Sequence, residues 1–591
     1  MQIILTPIFI IFLLVSLRAE TYSVGPSQDY NDLGAVPWLT LVPGDTVLIH
    51  WRDEPYASKI FVRVSGTAEN PIVIKGLPND KGELPVITGQ NATTNAQFAG
   101  YFSSEWTEDL GLFLIHRNNN VPPYDDESYK PKHLIFEYLE LTGVKPENTF
   151  TDQFGNTRNY NSFSSAIHAL ESDNLTIRHC RIHDNAQGIF TNSNGNTEGY
   201  ISRNTLIEYN EIWGNGNTDE DGREHNIYIQ SAGTIIQYNK FGSLRSGSQG
   251  ANIKDRSSGT IIRYNWIEGA ARILDLVETE DAWEIIMFEP DYHDVYVYGN
   301  VIINDMTKSP FATNMIHFGF DNSPVEAKRG TLFFYNNTVY IKGDKDIYWY
   351  VRLFDVTSDN DPDTEEGTVA MYNNIIHKEG TTNLELMRDS GTLNFYGNNW
   401  IREGYAELGY RATAQINYPT PPIVGTDPGF KDVSNEDFTL LESSVCIDTA
   451  GTLPDSVESR YPVEYEYVKH TSRKNRLLSG SRYDLGAFEY ANQTGIEFDK
   501  ELLITDYRLL QNYPNPFNPI TAISYRLSAV SDVKLTVYNV LGQKIRTLVN
   551  EKQSAGKYRV SFDASGLAGG VYFYRLQAGD FTATRKMILM Q

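Results

Sequence analysis

One phrase occurs twice in close succession, as TIIQYNKF at residues 234–241 and as TIIRYNWI at residues 260–267. Taking the Asn of each such phrase gives Asn210, Asn239, Asn265, Asn300, Asn336, Asn373 and Asn398, with Cys180 in the equivalent place of TIRHCRIH. The successive gaps, by subtraction, are 30, 29, 26, 35, 36, 37 and 25 residues. A period of this size, built from strand-like runs and turn residues without a helical period, requires each repeat to bury its apolar face against its neighbours. The chain is therefore expected to form a β-solenoid whose coils carry loops of variable length. Each phrase Asn is expected at a corner, with its amide bonded to the coils above and below.

A second strand series lies between these phrases, with Ile167, Ile189, Ile227, Ile253, Ile273, Ile316 and Leu353 in the inward place. Strand side chains alternate between faces, so the expected outward column is His168, Phe190, Tyr228, Lys254, Leu274, His317 and Phe354. Asn226, Asn252, Arg272 and Arg352 flank it, Arg256 follows Lys254 by two residues, and Asp255 and Asp275 are expected inward or at a corner. Stacked strands lie about 4.8 Å apart, which gathers Tyr228, Lys254, Arg256, Arg272 and His317 on one face.

Such a patch suits β-elimination on a uronic-acid polymer, which needs a cation for the carboxylate, a base for the C5 proton and an acid for the leaving oxygen. The expected roles are Lys254 as base, its pKa lowered by two neighbouring Arg, Arg256 and Arg272 as carboxylate clamp, and Tyr228 or His317 as acid. Asn226, Asn252, His168 and Arg352 are the expected substrate-binding residues.

The balance of 50 Lys and Arg against 75 Asp and Glu gives a net charge of -25, which argues against a nucleic-acid partner. Cys180 and Cys446 match no metal spacing; two buried thiols are expected, and a disulfide is the other arrangement open to an exported chain. Acidic runs at 219–221, 281–284 and 359–366 offer oxygen ligands for Ca²⁺, although such runs are more often simply solvated loops. Two other functions stay open. GNTDEDG at 216–222 is similar to the NTDG phrase of polygalacturonase-like glycoside hydrolases, without their GHG phrase; an aromatic-lined groove can also bind glycans without cleaving them.

PGDTV at 43–47 and GTAENPIVIKG at 66–76 resemble the opening coils of right-handed parallel β-helix proteins, including the chondroitinase B and alginate lyase group. KDRSSG at 254–259, followed by GAARILDL at 269–276, is similar to the lysine and arginine phrases of those lyases; aligned on SSG, Arg256 falls nearest the family lysine. The resemblance implies a polysaccharide lyase acting on an extracellular polysaccharide. Residues 427–451 and 483–490 resemble the terminal segment of bacterial surface β-helix proteins and are expected to cover the open end of the solenoid.

NYPNPFNP at 512–519, YNVLGQ at 538–543 and GVYFYRL at 570–576 resemble the type A C-terminal sorting domain of the type IX secretion system. The implied fold is a small β-sandwich, and the implied partner is the type IX secretion machinery. Residues 3–17 are almost wholly apolar and read as a secretory signal cleaved near Ala19; no later stretch is long and apolar enough to span a bilayer. The whole is an all-β chain: signal peptide 1–19, right-handed parallel β-helix with terminal segment 20–490, linker 491–508 and sorting domain 509–591. It is expected to be secreted or attached to the outer-membrane surface, as a monomer.

Overall fold

The computed structural model describes residues 19–100, 105–116, 130–195, 197–218, 224–309, 312–323, 325–357, 366–490, 508–509, 511–512, 515–527, 531–553, 556–579 and 581–590. The expected signal peptide, apart from Ala19, and the expected linker, apart from Arg508, lie outside these residues. The chain divides into two compact units, Met1–Asn492 and Gln493–Gln591.

The first unit is a right-handed parallel β-helix. Three sheets of 13, 14 and 11 strands run its length, and each coil of the chain adds one strand to each sheet in turn. Its interior is a stack of aliphatic and aromatic side chains: Ile189 pairs with Ile227, Ile227 with Ile253, Ile253 with Leu274, Leu274 with Ile316 and Ile316 with Phe354. All six are buried.

A continuous asparagine ladder fixes one corner. The backbone N–H of Cys180 donates to the Asn210 amide oxygen at 2.9 Å, that of Asn210 to Asn239 at 2.9 Å, and that of Asn239 to Asn265 at 3.0 Å. The series then runs through Asn300, Asn337, Asn374 and Asn399 at 2.9–3.0 Å. Each amide nitrogen donates to the oxygen of the next rung, so the groups the bend removes from the sheets are all paired.

The ladder passes through the second Asn of each Asn-Asn pair, which corrects the expectation for Asn336, Asn373 and Asn398. From Asn210 to Asn374 the residue before each rung turns the corner in the left-handed region, and Asn336 (φ 50°) and Asn373 (φ 58°) occupy that place; at Asn399 the left-handed residue is Gly397, two positions before the rung. Tyr209, Tyr238 and Tyr264 occupy it in earlier coils, at φ 57°, 60° and 54°. A non-glycine residue there costs about 1–2 kcal/mol. The Tyr rings stack on one another at centroid separations of 4.8 and 5.5 Å, each contact contributing about 0.5–1.5 kcal/mol, so stacking offsets much of the cost.

Residues 427–490 pack along the flank of the helix, not over its end as expected. Phe430, Phe438, Leu440, Cys446, Tyr467 and Leu485 bury Trp266, Val301, Tyr340, Ile375 and Trp400. Val457, Tyr461, Val463 and Tyr465 lie on the Tyr238, Tyr264, Tyr296, Tyr298 and Tyr335 face. Both cysteines are buried free thiols.

In the second unit a three-stranded antiparallel sheet (Arg508–Leu509, Ile520–Leu527, Gly556–Asp563) and a four-stranded one (Ser531–Asn539, Lys544–Gln553, Gly570–Ala578, Phe581–Leu589) share a core that includes Leu535, Val537, Phe562 and Tyr574.

Asn265→Ala removes the oxygen that accepts from the Asn239 backbone N–H and side-chain amide; the amide keeps the carbonyls of Ile207 and Gln237, and the buried backbone N–H is left unsatisfied. At roughly 1–3 kcal/mol for such a group, the solenoid is expected to lose about 2 kcal/mol of stability, read by denaturant titration, whereas Asn417→Ala on the exposed last coil is expected to change little.

Candidate functional site

The outer face of the 14-stranded sheet carries the predicted residues, with one correction of register. Successive partners in the outward column are His168, Phe190, Tyr228, Lys254, Asp275, His317, Asp355 and Arg388. Leu274 and Phe354 point inward, and Asp275 and Asp355 take the outward places expected for them. Alternation fails where two consecutive residues both turn into the core, as at Ile273 and Leu274 and at Leu353 and Phe354. Counting from the first of them displaces every later side chain to the wrong face. Asp255 does point away from solvent: it is fully buried, with Lys328 Nζ 3.5 Å away.

Lys254, on strand Ala251–Asp255, is buried, and its ammonium donates to Asp275 at 2.7 Å and also to Asp321. The two arginines expected beside it are separated from it by these carboxylates, so the like-charge environment proposed for a lysine base is absent. Arg256 is 2% exposed. Its guanidinium meets Asp321 at 2.7 Å, Glu278 at 3.3 Å and Glu280 at 3.4 Å, so protein carboxylates already surround the group expected to clamp a substrate carboxylate. Arg272 is the most open of the three cations, with one contact to Asp275 at 3.2 Å. Four carboxylates thus face three cations, and the patch that the sequence presents as basic carries an excess of negative charge.

His317 is buried, with Nδ1 2.6 Å from Asp275 and Nε2 3.3 Å from Thr357 Oγ1. The Tyr228 hydroxyl donates to Glu280 at 2.9 Å, its ring lies 5.9 Å from the Arg256 guanidinium, and burial raises its pKa, so the phenol stays protonated. Tyr228, Lys254, Arg256, Arg272 and His317 therefore share one connected cluster.

The predicted substrate-binding residues do not share it. Asn226 and Asn252 are fully buried and bonded to each other at 2.6 Å, as rungs of a second amide ladder. His168 is buried against Phe190, 4.6 Å between ring centroids, and accepts or donates to Ser165 at 2.9 Å; burial drives its pKa down to about 3 and keeps it neutral. Arg352 lies further along the face, paired with Glu385 at 2.8 Å and stacked on Tyr350 at 3.9 Å.

Sequence reasoning missed the carboxylates. Glu278 is nearly buried and accepts the backbone N–H groups of Asp321, Asn322 and Ser323 at 3.0, 2.8 and 2.8 Å, which sets the loop that carries Asp321. The i, i+2 spacing of Glu278 and Glu280 hinted at one shared face; no spacing signals Asp321. Burial works to raise the Asp275 carboxyl, but the Lys254 charge, the His317 bond and Arg272 hold it well below the usual carboxylate range. Asp321 is likewise lowered by Lys254 and Arg256 against the opposing effect of burial.

Among the described residues no group of three His, Cys, Asp or Glu side chains is disposed to hold a metal ion. The candidate Ca²⁺ runs at 219–221 and, apart from Glu366, at 359–366 lie outside those residues.

Residues 511–590 match the family model described as a secretion system C-terminal sorting domain. The chain ends in a sorting domain. That tail marks the chain for secretion and attachment at the cell surface, and no helix among the described residues is long and apolar enough to cross a membrane. Among curated proteins, none matches the sequence. Solved structures with similarity include a tailspike protein of Escherichia coli bacteriophage HK620, at 10% identity, TM-score 0.38, over 93% of this chain and 86% of that one. Another is a lacto-N-biosidase from Eubacterium ramulus, at 13% identity, TM-score 0.38, over 69% and 68%. A mannuronic acid specific polysaccharide family 6 lyase from human gut microbiota aligns at 14% identity, TM-score 0.33, over 69% and 82%. The β-helix assignment rests on the three sheets of this chain.

Two outcomes are expected. Asp275→Asn leaves Lys254 and His317 short of a buried partner and should cost about 3 kcal/mol at pH 7. Because the folded pKa of Asp275 is depressed, its contribution is present above the unfolded value of about 3.9 and is lost as pH falls through the folded value; denaturant titrations at neutral and strongly acidic pH should show the gap between wild type and variant closing. Deleting residues 511–590 should abolish delivery to the cell surface, read by surface labelling of intact cells.

Proposed function

We propose that this chain is an exported, surface-delivered carbohydrate-active enzyme that cleaves a glycan laid along the outer face of its 14-stranded sheet. The observation that carries the reading is the arrangement of charge. Lys254 and Arg256 are buried, while Asp321 and Glu280 keep 21% and 47% of their side-chain surface open to solvent. What a ligand meets is an ionised carboxylate backed by cations.

That arrangement supports acid–base hydrolysis of a glycosidic bond. An oxocarbenium-like transition state needs a carboxylate that is ionised when positive charge develops on the sugar ring, and Lys254 and Arg256 keep Asp321 in that state. Tyr350 stands further along the same face, stacked on Arg352, and supplies surface for a sugar ring.

β-Elimination on a uronic-acid polymer is the second reading, favoured by the gathering of Tyr228, Lys254, Arg256, Arg272 and His317 in one cluster. It asks these cations to neutralise a substrate carboxylate, while protein carboxylates already hold Lys254 and Arg256 and leave Arg272, with 34% of its side-chain surface open, as the cation able to do so. A polysaccharide panel of uronate and neutral glycans separates the readings. Hydrolysis yields new reducing ends alone; elimination also yields an unsaturated product absorbing in the ultraviolet; binding without either product marks a glycan-binding surface protein. Reducing ends without unsaturation are expected, and Asp321→Asn should lower turnover about 10²–10⁴-fold with little change in the far-ultraviolet circular dichroism.

A further inference from the structure

Asp255 stands in an inward column of the 14-stranded sheet, between Ile229 on the preceding strand and Leu276 on the next. All three side chains are fully buried, so a carboxyl group is set among aliphatic residues and away from bulk water. Lys328 reaches the same place from the loop that carries Asp321. Its backbone N–H donates to the Gly319 carbonyl at 3.0 Å, which closes that loop, and its side chain is wholly buried with Nζ 3.5 Å from Asp255 Oδ2. The loop therefore grips residues 254–257 from both sides. Asp321 meets Lys254 and Arg256 on the outer face, and Lys328 meets Asp255 and Ser257 on the inner one.

The polar groups around this pair do not match an ammonium and a carboxylate. An ammonium donates through every hydrogen, and a carboxylate accepts at both oxygens. Lys328 Nζ has one short bond, to the Ser257 carbonyl at 2.6 Å. Its 3.5 Å separation from Asp255 exceeds the about 2.7–2.9 Å of a charge-assisted bond, and the centre of the Tyr292 ring is 5.7 Å away. Asp255 Oδ2 accepts from Thr260 Oγ1 at 2.6 Å, while Oδ1 is buried without a donor. A buried ion pair is favourable only where its remaining lone pairs and protons are also satisfied. Here the nitrogen finds one good acceptor and the carboxyl group one good donor. That is the complement of a secondary amide, with its single N–H and single C=O.

We propose that Lys328 and Asp255 are joined in the folded protein by an amide bond between Nζ and Cγ, an internal cross-link that ties the Asp321 loop to the core of the solenoid. Burial, against the charges of Asp255 and Glu278, pulls the Lys328 amine below its ordinary pKa, which favours the neutral nucleophile. A proton passes from the ammonium to Asp255 Oδ1, and the nitrogen lone pair attacks Cγ. Oδ2 takes up the displaced electron pair, stabilised by the Thr260 hydroxyl. As the carbonyl re-forms, the bond from Cγ to Oδ1 breaks, and Oδ1 leaves as water with the transferred proton and a second one from nitrogen. The N–H that remains keeps the Ser257 carbonyl, and the amide oxygen keeps Thr260. The step consumes no oxidant or co-reactant, and it is independent of the reaction assigned to the outer face.

The test is made on the purified full chain, unfolded in denaturant, digested with chymotrypsin and sequenced by tandem mass spectrometry. The expected product is a branched peptide that joins the segments around Asp255 and Lys328 and is lighter than their sum by one water. Recovery of the two segments only as separate linear peptides overturns the proposal. A second measurement reads the amine itself: an amine-reactive label applied to the unfolded wild type should modify Lys254 and leave Lys328 untouched, and full labelling of Lys328 overturns the proposal as well. Both results come from wild type and so do not depend on a variant that folds. In Lys328→Arg, which keeps the cation but cannot form this amide, the branched peptide should vanish; a peptide still branched at Asp255 would place the link on another residue and overturn the assignment.

Discussion

The buried amide ladder is the interaction on which the rest of this molecule depends. A parallel stack of short strands gains apolar burial from any register in which aliphatic residues face inward, so burial alone leaves the vertical alignment of loops loosely specified. A row of asparagines, each donating to and accepting from the coils above and below, admits one register, because a slip strands buried donors at every rung. From Asn210 to Asn374 the left-handed residue before each rung turns the chain at a fixed place. Loops of very different length can then leave and rejoin the coil without displacing the column on the outer face.

That logic explains what was legible in the sequence. The ladder phrase repeats TIIQYN and TIIRYN, and its period and apolar spacing lead directly to a parallel solenoid. Where two asparagines are adjacent, as at Asn336 and Asn337, composition cannot say which turns the corner and which bonds the stack; the backbone decides, because the first must adopt positive φ. The same kind of local geometry displaced the outward column. At Ile273 and Leu274 both side chains enter the core, a bend that alternation does not anticipate, and Asp275 was consequently placed on the wrong side.

The candidate site shows a second limit. Lys254, Arg256 and Arg272 stand close together as the coil spacing implies, but a cationic column in one dimension says nothing of the acids that a neighbouring loop brings to it. Asp321 arrives 65 residues after Arg256, on a turn shaped by the three N–H groups that Glu278 accepts. Its contribution reverses the character of the patch. A reading of charge from sequence is reliable for the strand that carries it and weak for the loops that fold back over it.

The segment that runs along the flank has an evolutionary consequence. Solenoids lengthen and shorten readily, since each coil contacts only its neighbours. Here one continuous stretch rests on Trp266, Val301, Tyr340, Ile375 and Trp400 in successive coils, so inserting or deleting a coil within that span would put every later contact out of step with the residue meant to meet it. The coils beneath the segment are therefore fixed in number, and variation in length between related chains should be confined to the coils that precede it.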